Sequence, residues 1–391
     1  MRLAALLVTA LACAAEPRPV RPDEVPASIR REGWLAEIHR ATAQRLRDGE
    51  WDHIVYYALQ SQRFTSLPVI EPARSAKAFH DSGAMPEDAA RRLDAFHRAK
   101  PQGERHERMR RMVASLEQLR AEYERAMRFL YEKEWASRAR QGADRRDFIA
   151  TLYQTRGHST DTELRATYGV HTGLSTLAAM TPAPKIRRVL LIGPGLDWSP
   201  RTGLREDTPP QTYQPYVLAD SLLRLGLAAP GDLRVDCADI NPRVVEHIAA
   251  FARSQRRLTL DYARGDGDWN AYFDALGATA GKRAGNTFTV DRAVAGRVTA
   301  QRMNILTERL EAAYDLAVAT NVLLYFDDKE LGLAMANIAH SLKPGGYLLH
   351  NDLRPAVESW ARELPLPVVH ARTVRLDPER PLFDGVVVQR K

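Results

Sequence analysis

The hydrophobic pattern divides the chain into two parts. In the first part, residues 28–184, apolar side chains recur at steps of three and four, which is the spacing of the buried face of an amphipathic helix. The longest such pattern runs from Glu104 to about Arg140. In the second part, residues 185–391, short apolar runs alternate with helical patterns. The pattern therefore predicts an N-terminal helical domain, followed by a domain in which strands alternate with helices.

Seven segments of the second part are predicted to be strands. Strands that alternate with helices are typical of a parallel, doubly wound sheet, and such a sheet can end in an antiparallel strand. The expected fold class is therefore α/β, with a Rossmann-like doubly wound sheet. The predicted strands are about Val189–Ile192, Leu233–Ala238, Arg297–Met303, Tyr314–Thr320, Tyr347–His350, Val369–Leu376 and Gly385–Gln389.

The first predicted strand ends in a glycine turn. The run Val189–Ile192 is followed by Gly193 and Gly195. Glycine permits backbone angles that other residues avoid, and it lets a ligand approach the backbone closely. The second predicted strand ends near Asp239, where a carboxylate can accept hydrogen bonds from two ribose hydroxyls. Together these features favour a nucleotide pocket, although the glycine turn alone would also fit an ordinary strand-to-helix connection.

Composition and charge exclude several classes of protein. The chain has 391 residues, which is enough for two domains, and its 45% hydrophobic and 27% charged residues argue against disorder throughout. The formal net charge of +7 comes from scattered arginines, not from one basic block, which argues against a nucleic-acid partner. The sequence contains no histidine pair at helical spacing and no cluster of cysteines and histidines, so no metal site is predicted.

The first fifteen residues have the order of a secretory signal. A positive charge at Arg2 precedes an apolar run, and small residues follow that run. The run is too short to cross a bilayer, which takes about 20 residues. Residues 1–15 are therefore predicted to be a signal peptide, residues 16–27 a proline-rich linker, and the mature protein periplasmic or secreted. A mis-assigned start codon would instead leave the protein in the cytoplasm, and N-terminal sequencing from the native host distinguishes the two.

Two later motifs carry a family resemblance. The segment Asn321-Val-Leu-Leu-Tyr-Phe326 follows a predicted strand, and Lys343-Pro-Gly-Gly346 follows a helical pattern. With the glycine turn and Asp239, these motifs resemble the class I S-adenosylmethionine (SAM)-dependent methyltransferases. They look most like the chemotaxis-receptor (protein-glutamate) methyltransferase branch. The resemblance covers about residues 188–352, which is under half of the chain.

The resemblance implies a set of residues that bind SAM. Gly193 and Gly195 would lie against the methionine part of SAM, and Asp239 would hold the ribose hydroxyls. Asn304 would lie near the edge of the adenine, where an amide can donate and accept. Two alternatives stay open, since Asp239 could only cap the following helix and Asn304 could only serve a turn.

The resemblance also implies which residues face the methyl acceptor. Asn321 would begin the loop after the fourth strand, next to the transferable methyl group, and would contact both SAM and the acceptor. Tyr325 lies in the same loop and would contact the acceptor, with a packed core aromatic as the alternative. Asn321 and Tyr325 are therefore the expected catalytic residues.

The sequence departs from the family pattern in several places. Leu191 stands where the family often has an acid, Asp197 takes the third glycine position, and Thr320 replaces an arginine of the receptor-methylating branch. The stretch between the glycine turn and Asp239 is longer than the roughly 20 residues usual before a Rossmann acid. Its first part, Trp198–Thr212, is expected to form a lid or a substrate loop over the pocket.

These features predict a SAM-dependent methyltransferase. Its acceptor would be a small molecule or a protein side chain with a carboxylate or another oxygen or nitrogen nucleophile. The alternative is an exported methyltransferase-like module that binds or senses without catalysis. The predicted signal peptide favours this alternative, because SAM is made in the cytoplasm. A titration of the purified mature chain with SAM is the measurement that separates the alternatives best.

Overall fold

The computed structural model describes residues 16–201, 203–379 and 382–391, so the predicted signal peptide, residues 1–15, lies outside the described residues. The described part up to residue 187 is helical apart from one short strand and its connections. We number helices and strands in chain order. The helices of this part are α1 Trp34–Arg47, α2 Trp51–Gln60, α3 Pro72–Ser82, α4 Glu87–Arg98, α5 Gly103–Met112, α6 Leu116–Glu134, α7 Gly142–Gln154 and α8 Thr167–Ala178.

The longest predicted helix is two helices in the structure. The pattern from Glu104 to Arg140 is interrupted between α5 and α6. Ser115 is the N-cap of α6, and its hydroxyl accepts a hydrogen bond from the backbone N–H of Gln118 at 3.1 Å. An N-cap serine satisfies a backbone donor that the first helical turn leaves unpaired. The apolar period continued across this break, which is why the pattern alone predicted one helix.

The second part contains a seven-stranded sheet. Its strand order is β11-β12-β10-β9-β2-β3-β7, and β12 is antiparallel to both of its neighbours. The order reverses at β2 and β9, as in a doubly wound sheet, so the predicted Rossmann-like α/β fold with an antiparallel strand is confirmed. The strands are β1 Arg18–Pro19, β2 Arg188–Ile192, β3 Arg234–Asp239, β4 Arg257–Thr259, β5 Gly281–Ala284, β6 Thr287–Val290, β7 Val298–Arg302, β8 Glu308–Arg309, β9 Tyr314–Ala319, β10 Leu342–His350, β11 Val368–Arg375 and β12 Phe383–Arg390.

Helices connect these strands and cover the sheet. A separate antiparallel sheet of β4, β6 and β5 fills the region between α10 and β7. Among the residues described, no helix is long and apolar enough to cross a membrane. The helices of the second part are α9 Gln214–Arg224, α10 Pro242–Phe251, α11 Gly267–Ala275, α12 Arg292–Ala295, α13 Asp328–Ser341 and α14 Pro355–Glu363.

The two parts of the chain share one hydrophobic core. Tyr57 of α2 and Leu174 of α8 belong to the same buried cluster as Leu191 of the sheet. Helix α8 lies so close to β10 that a Cβ added to Gly173 would collide with Leu349. Although α8 falls within the predicted helical domain, residues 28–184, it therefore packs as one of the helices that cover the sheet.

The proline-rich stretch, residues 16–27, packs against the second part of the chain. Strand β1 pairs with β8, and Arg18 lies opposite Arg309. Val20 and Val25 are buried in a cluster with residues of β9 and α13. The stretch that was predicted to be a linker thus contributes to the core on one face of the sheet.

Candidate active site

One cavity of about 700 Å³ lies where β2, β3, β9 and β10 end and β12 begins. Carboxyl ends of strands at a topological switch point are the usual ligand site of an open α/β sheet, and ligand pockets span about 300–1,000 Å³. Helix α7 and the segment that follows it line the opposite wall. The cavity brings together all the predicted site residues, namely Gly193, Gly195, Asp239, Asn304, Asn321 and Tyr325.

The glycine turn allows a close approach of other chain segments. Gly193 has φ +62° and Gly195 has φ +74°, both in the left-handed region. A Cβ on Gly193 would lie 2.5 Å from a methyl group of Val322, and a Cβ on Gly195 would lie 2.8 Å from the Cβ of Thr162. Larger residues at these two positions would be strained and would also displace the neighbouring loops.

The segment Thr160–Thr162 contributes polar groups that the sequence analysis missed. Its Thr160 carbonyl accepts a hydrogen bond from the N–H of Leu196 at 2.7 Å, which fixes it over the glycine turn. Thr160 Oγ1, Asp161 Oδ1 and Thr162 Oγ1 are buried, line the cavity and have no hydrogen-bond partner among the described residues. Unpaired buried polar atoms are costly, so this segment fits a ligand that carries a polar, charged end.

Asp239 lies at the end of β3 with its carboxylate in the cavity wall. Its Oδ1 accepts a hydrogen bond from the N–H of Asn241 at 2.8 Å. The N-cap of α10 is Asn241, whose side chain accepts from the N–H of Arg243. Asp239 is therefore not the capping residue, and the helix-cap alternative for it is wrong. Burial, with a smaller contribution from the charge of Glu50, raises the pKa of Asp239 to about 7.

Asn304 combines a turn with a place in the cavity wall. Its side-chain oxygen accepts a hydrogen bond from the N–H of Leu306 at 3.0 Å, and its own N–H donates to Glu308 at 2.7 Å. The side-chain oxygen of Asn304 therefore stabilises a turn, as the turn alternative predicted. The residue nevertheless lines the cavity, where its side-chain nitrogen is the group that can donate to a ligand.

The loop after β9 is fixed from three directions. Arg354 donates to the carbonyl oxygens of Leu323 at 2.8 Å and Phe326 at 2.9 Å. Gln154 of α7 also donates to Phe326, at 3.1 Å, and Arg45 of α1 donates to the Tyr325 carbonyl at 3.3 Å. The loop carries the two predicted catalytic residues, so the N-terminal helices take part in positioning them.

Tyr325 is both packed and part of the cavity wall. Its ring lies edge-on to Tyr153 of α7, with 5.3 Å between the ring centroids, and 5.6 Å from the ring of His158. Burial raises the pKa of its hydroxyl to about 12, so the phenol stays protonated at neutral pH. Tyr325 is therefore a packed aromatic, as the alternative proposed, and also a residue that lines the cavity.

Asn321 adopts a left-handed backbone conformation, with φ +58°. Its N–H donates to the side-chain oxygen of Asn351 at 2.9 Å, and the Asn351 side chain donates back to the Asn321 side-chain oxygen at 2.7 Å. This pairing offsets the strain of a non-glycine residue in that region, and such strain tends to occur at functional sites.

The segment Trp198–Thr212 reaches the cavity only through Arg201 within its described residues. Arg201 forms a salt bridge with Glu134, with 2.9 Å between one guanidinium nitrogen and one carboxylate oxygen. The indole of Trp198 is buried, and Arg105 of α5 donates to the carbonyl oxygens of Asp197 and Trp198. The expected lid is therefore a loop held against the helices. Among the residues described, no group of histidine, cysteine or acidic side chains is arranged to hold a metal ion.

Comparison with known proteins gives a family for this site. Residues 213–353 match the family model described as CheR methyltransferase, SAM binding domain. The match contains Asp239, Asn304, Asn321 and Tyr325 but begins after the glycine turn. No curated protein matches the sequence.

Two solved structures with similar chains show low sequence identity to this one. The N-methyltransferase NodS from Bradyrhizobium japonicum WM9, in complex with S-adenosyl-L-homocysteine, is 16% identical with a TM-score of 0.33, and the match covers 59% of this chain and 89% of that one. The S-adenosylmethionine-dependent methyltransferase SibL, in its apo form, is 14% identical with a TM-score of 0.36. The match covers 91% of this chain and 76% of that one. Both likenesses are distant. Residues 213–353 of the chain form a SAM-dependent methyltransferase domain of the CheR type.

Proposed function

We propose that SAM binds along the edge of the sheet from the glycine turn to Asn304. The observation that supports this placement is the single cavity that contains all of the predicted residues. Gly193 and Gly195 leave room for the methionine part, Asp239 accepts hydrogen bonds from the ribose, and Asn304 meets the adenine edge. Calorimetric titration of the purified chain with SAM and with S-adenosylhomocysteine tests the placement, and the absence of heat with either compound would refute it.

We also propose that Thr160, Asp161 and Thr162 bind the amino-acid end of SAM. That end carries an ammonium and a carboxylate. The Asp161 carboxylate suits the ammonium, and the two threonine hydroxyls can donate to the carboxylate. These atoms are buried without partners among the described residues, and Asp161 would supply the acid that Leu191 lacks. The N-terminal part of the chain thus completes the SAM site.

Bound SAM supplies a methyl group on a positively charged sulfur, which a nucleophile can attack in line. The protein's contribution is to hold the acceptor against that methyl group and to exclude water. The loop after β9 is suited to this task, because Arg354, Gln154 and Arg45 fix its carbonyl groups. Asn321 and Tyr325 then face the acceptor from a rigid support.

Tyr325→Phe should leave SAM affinity unchanged and lower methyl transfer about two- to tenfold, as expected for one lost hydrogen bond of about 0.5–1.5 kcal/mol. The hydroxyl is removed while the ring keeps its contact with Tyr153. Transfer is measured with methyl-labelled SAM and a panel of one amine, one carboxylate and one phenol. Phe129→Leu, which alters another ring beside Tyr153, is the control for packing. Wild-type turnover in both Tyr325→Phe and Tyr325→Ala would remove Tyr325 from the site.

A further inference from the structure

Asp384 lies on the acceptor side of the cavity, where sequence analysis assigned no function. It is the second residue of β12, whose first residues lie at the carboxyl end of β10 because the two strands are antiparallel. The side-chain nitrogen of Asn351 donates to both Asp384 oxygens, at 3.1 and 2.9 Å. Asn351 also holds Asn321. One amide thus connects Asp384 to the residue expected beside the transferable methyl group.

The carboxylates of the cavity fall into two sets. Glu134, Glu163 and Asp352 form salt bridges with Arg201, Arg165 and Arg354. Within the described part of the chain, Asp161, Asp239 and Asp384 line the cavity without a salt bridge. The proposed SAM site uses Asp161 for the ammonium and Asp239 for the ribose. Asp384 is therefore the cavity carboxylate that is left for the acceptor.

The surroundings of Asp384 combine apolar and charged groups. Leu382, Phe383 and Phe326 line the same cavity, and Phe383 is 58% exposed at its edge. Burial raises the pKa of Asp384 to about 6, and the negative charge of Asp352 adds to this rise. The hydrogen bond from Asn351 lowers the pKa, and the positive charge of Lys133 of α6 lowers it more weakly. Lys133 is itself bonded to the Tyr153 hydroxyl, and burial lowers its pKa to about 8. Asp352 is neutralised by Arg354.

We propose that the methyl acceptor is an amine on an apolar body, and that Asp384 binds its ammonium and takes up its proton. This inference rests on the proposed function, because it requires SAM in the same cavity. A second carboxylate beside Asp384 would add like-charge repulsion in a buried site, so the arrangement disfavours a carboxylate acceptor. The apolar body of the amine packs against Phe383 and Phe326, and Asn351 holds the Asp384 carboxylate in place.

The step is balanced without any further reactant. The ammonium passes one proton to the Asp384 carboxylate, which leaves a neutral amine with a free electron pair. The amine nitrogen forms a bond to the methyl carbon as the carbon–sulfur bond breaks, and that bond's electron pair stays on sulfur as S-adenosylhomocysteine forms. The product leaves as the N-methylated ammonium ion of the acceptor, and Asp384 releases its proton to water.

The test uses three probes with the same aromatic body: phenethylamine, hydrocinnamate and phenethyl alcohol. With methyl-labelled SAM and the full chain, we expect methylation of the amine and none of the carboxylate. Asp384→Asn should lower the amine rate about 10²- to 10⁴-fold, the usual contribution of a positioned acid or base, with SAM affinity unchanged. Asp384→Glu should recover part of the rate, and the exposed Asp274→Asn serves as the control.

The pH profile separates a proton acceptor from a structural residue. With SAM at saturating concentration, the wild-type kcat/KM for the amine should rise with pH below pH 6, since Asp384 must be ionised, and it should level off near its pKa of about 6. Asp384→Asn should lose this rise. Preference for hydrocinnamate, an unchanged rate or pH profile in Asp384→Asn, or no binding and no methylation of phenethylamine while SAM binds would overturn the inference. Failure of the wild type to bind SAM would instead refute the proposed SAM site.

Discussion

Replacing Asp239 by asparagine will weaken SAM binding about 10- to 100-fold, because hydrogen bonds to a charged group contribute about 1.5–3 kcal/mol. Asparagine keeps one acceptor oxygen for the backbone N–H of Asn241, which Asp239 now serves. It removes the charge and the second strong acceptor that a ribose diol needs. Calorimetry with SAM measures the loss, and Asp232→Asn, at an exposed position, is the control.

The same substitution should stabilise the protein without SAM at high pH. The pKa of Asp239 is raised from 3.8 to about 7 in the folded protein, chiefly by burial. Between these values the folded state holds a proton that the unfolded state releases, so the contribution of this group to stability falls as pH rises and stays low above about 7. Asparagine does not ionise, so the variant does not lose this stability as pH rises.

Melting temperatures at two pH values test this predicted pH dependence of stability. We expect Asp239→Asn to melt higher than wild type at pH 8, with a smaller difference at pH 5, where Asp239 is largely protonated. SAM affinity of the wild type should rise with pH up to about 7, the pKa of Asp239, and that of the variant should not. Equal SAM affinity in the two proteins, or the same difference in melting temperature at both pH values, would contradict this account.

Replacing Arg354 by methionine should destabilise the fold by about 3–5 kcal/mol, as for removing one partner of a buried ion pair. The side chains of Arg354 and Asp352 are 7% and 3% exposed, and their charged groups are 2.6 Å apart. Methionine would leave the Asp352 charge buried and would remove one donor from each of the Leu323 and Phe326 carbonyls. The midpoint of urea unfolding measures the effect.

Two further variants make this result specific. Arg362→Met on α14 breaks a salt bridge with Glu358, but both side chains are about 70% exposed, so the expected change is below about 1 kcal/mol. The double variant Asp352→Asn with Arg354→Met should lose less stability than Arg354→Met alone, because no uncompensated charge remains. A small effect of Arg354→Met, equal to that of Arg362→Met, would show that the pair does not hold the loop.

The sheet could be predicted from the sequence because its central strands are short segments rich in apolar residues. The run Val189–Ile192 became β2, Arg188–Ile192, and Leu233–Ala238 became β3, Arg234–Asp239. Such strands are buried on both faces, so composition alone marks them. The segment Lys343-Pro-Gly-Gly346 is predicted to end a helix. In the structure α13 ends at Ser341, and the segment forms an irregular start of β10.

The part of the site formed by distant segments could not be predicted. The glycine turn and Asp239 could be predicted from local sequence, because each follows directly on a predicted strand. Thr160 and Asp161 lie in an irregular stretch without a period, and the hydrogen bond between Thr160 and Leu196 holds them over the turn. Asp384 stands alone between Phe383 and Gly385, and its place depends on the antiparallel pairing of β12 with β10. Pairings of this range leave no mark in local sequence.

The pairing of β1 with β8 imposes an order on folding during synthesis. Arg18 finds its partner Arg309 only after about 290 further residues have been made, which at about 5–20 residues per second takes roughly 15–60 seconds. Until then Val20 and Val25, which are buried in the finished protein, are exposed to solvent and to other proteins. The nascent chain therefore carries these two valines without their partners for most of its synthesis.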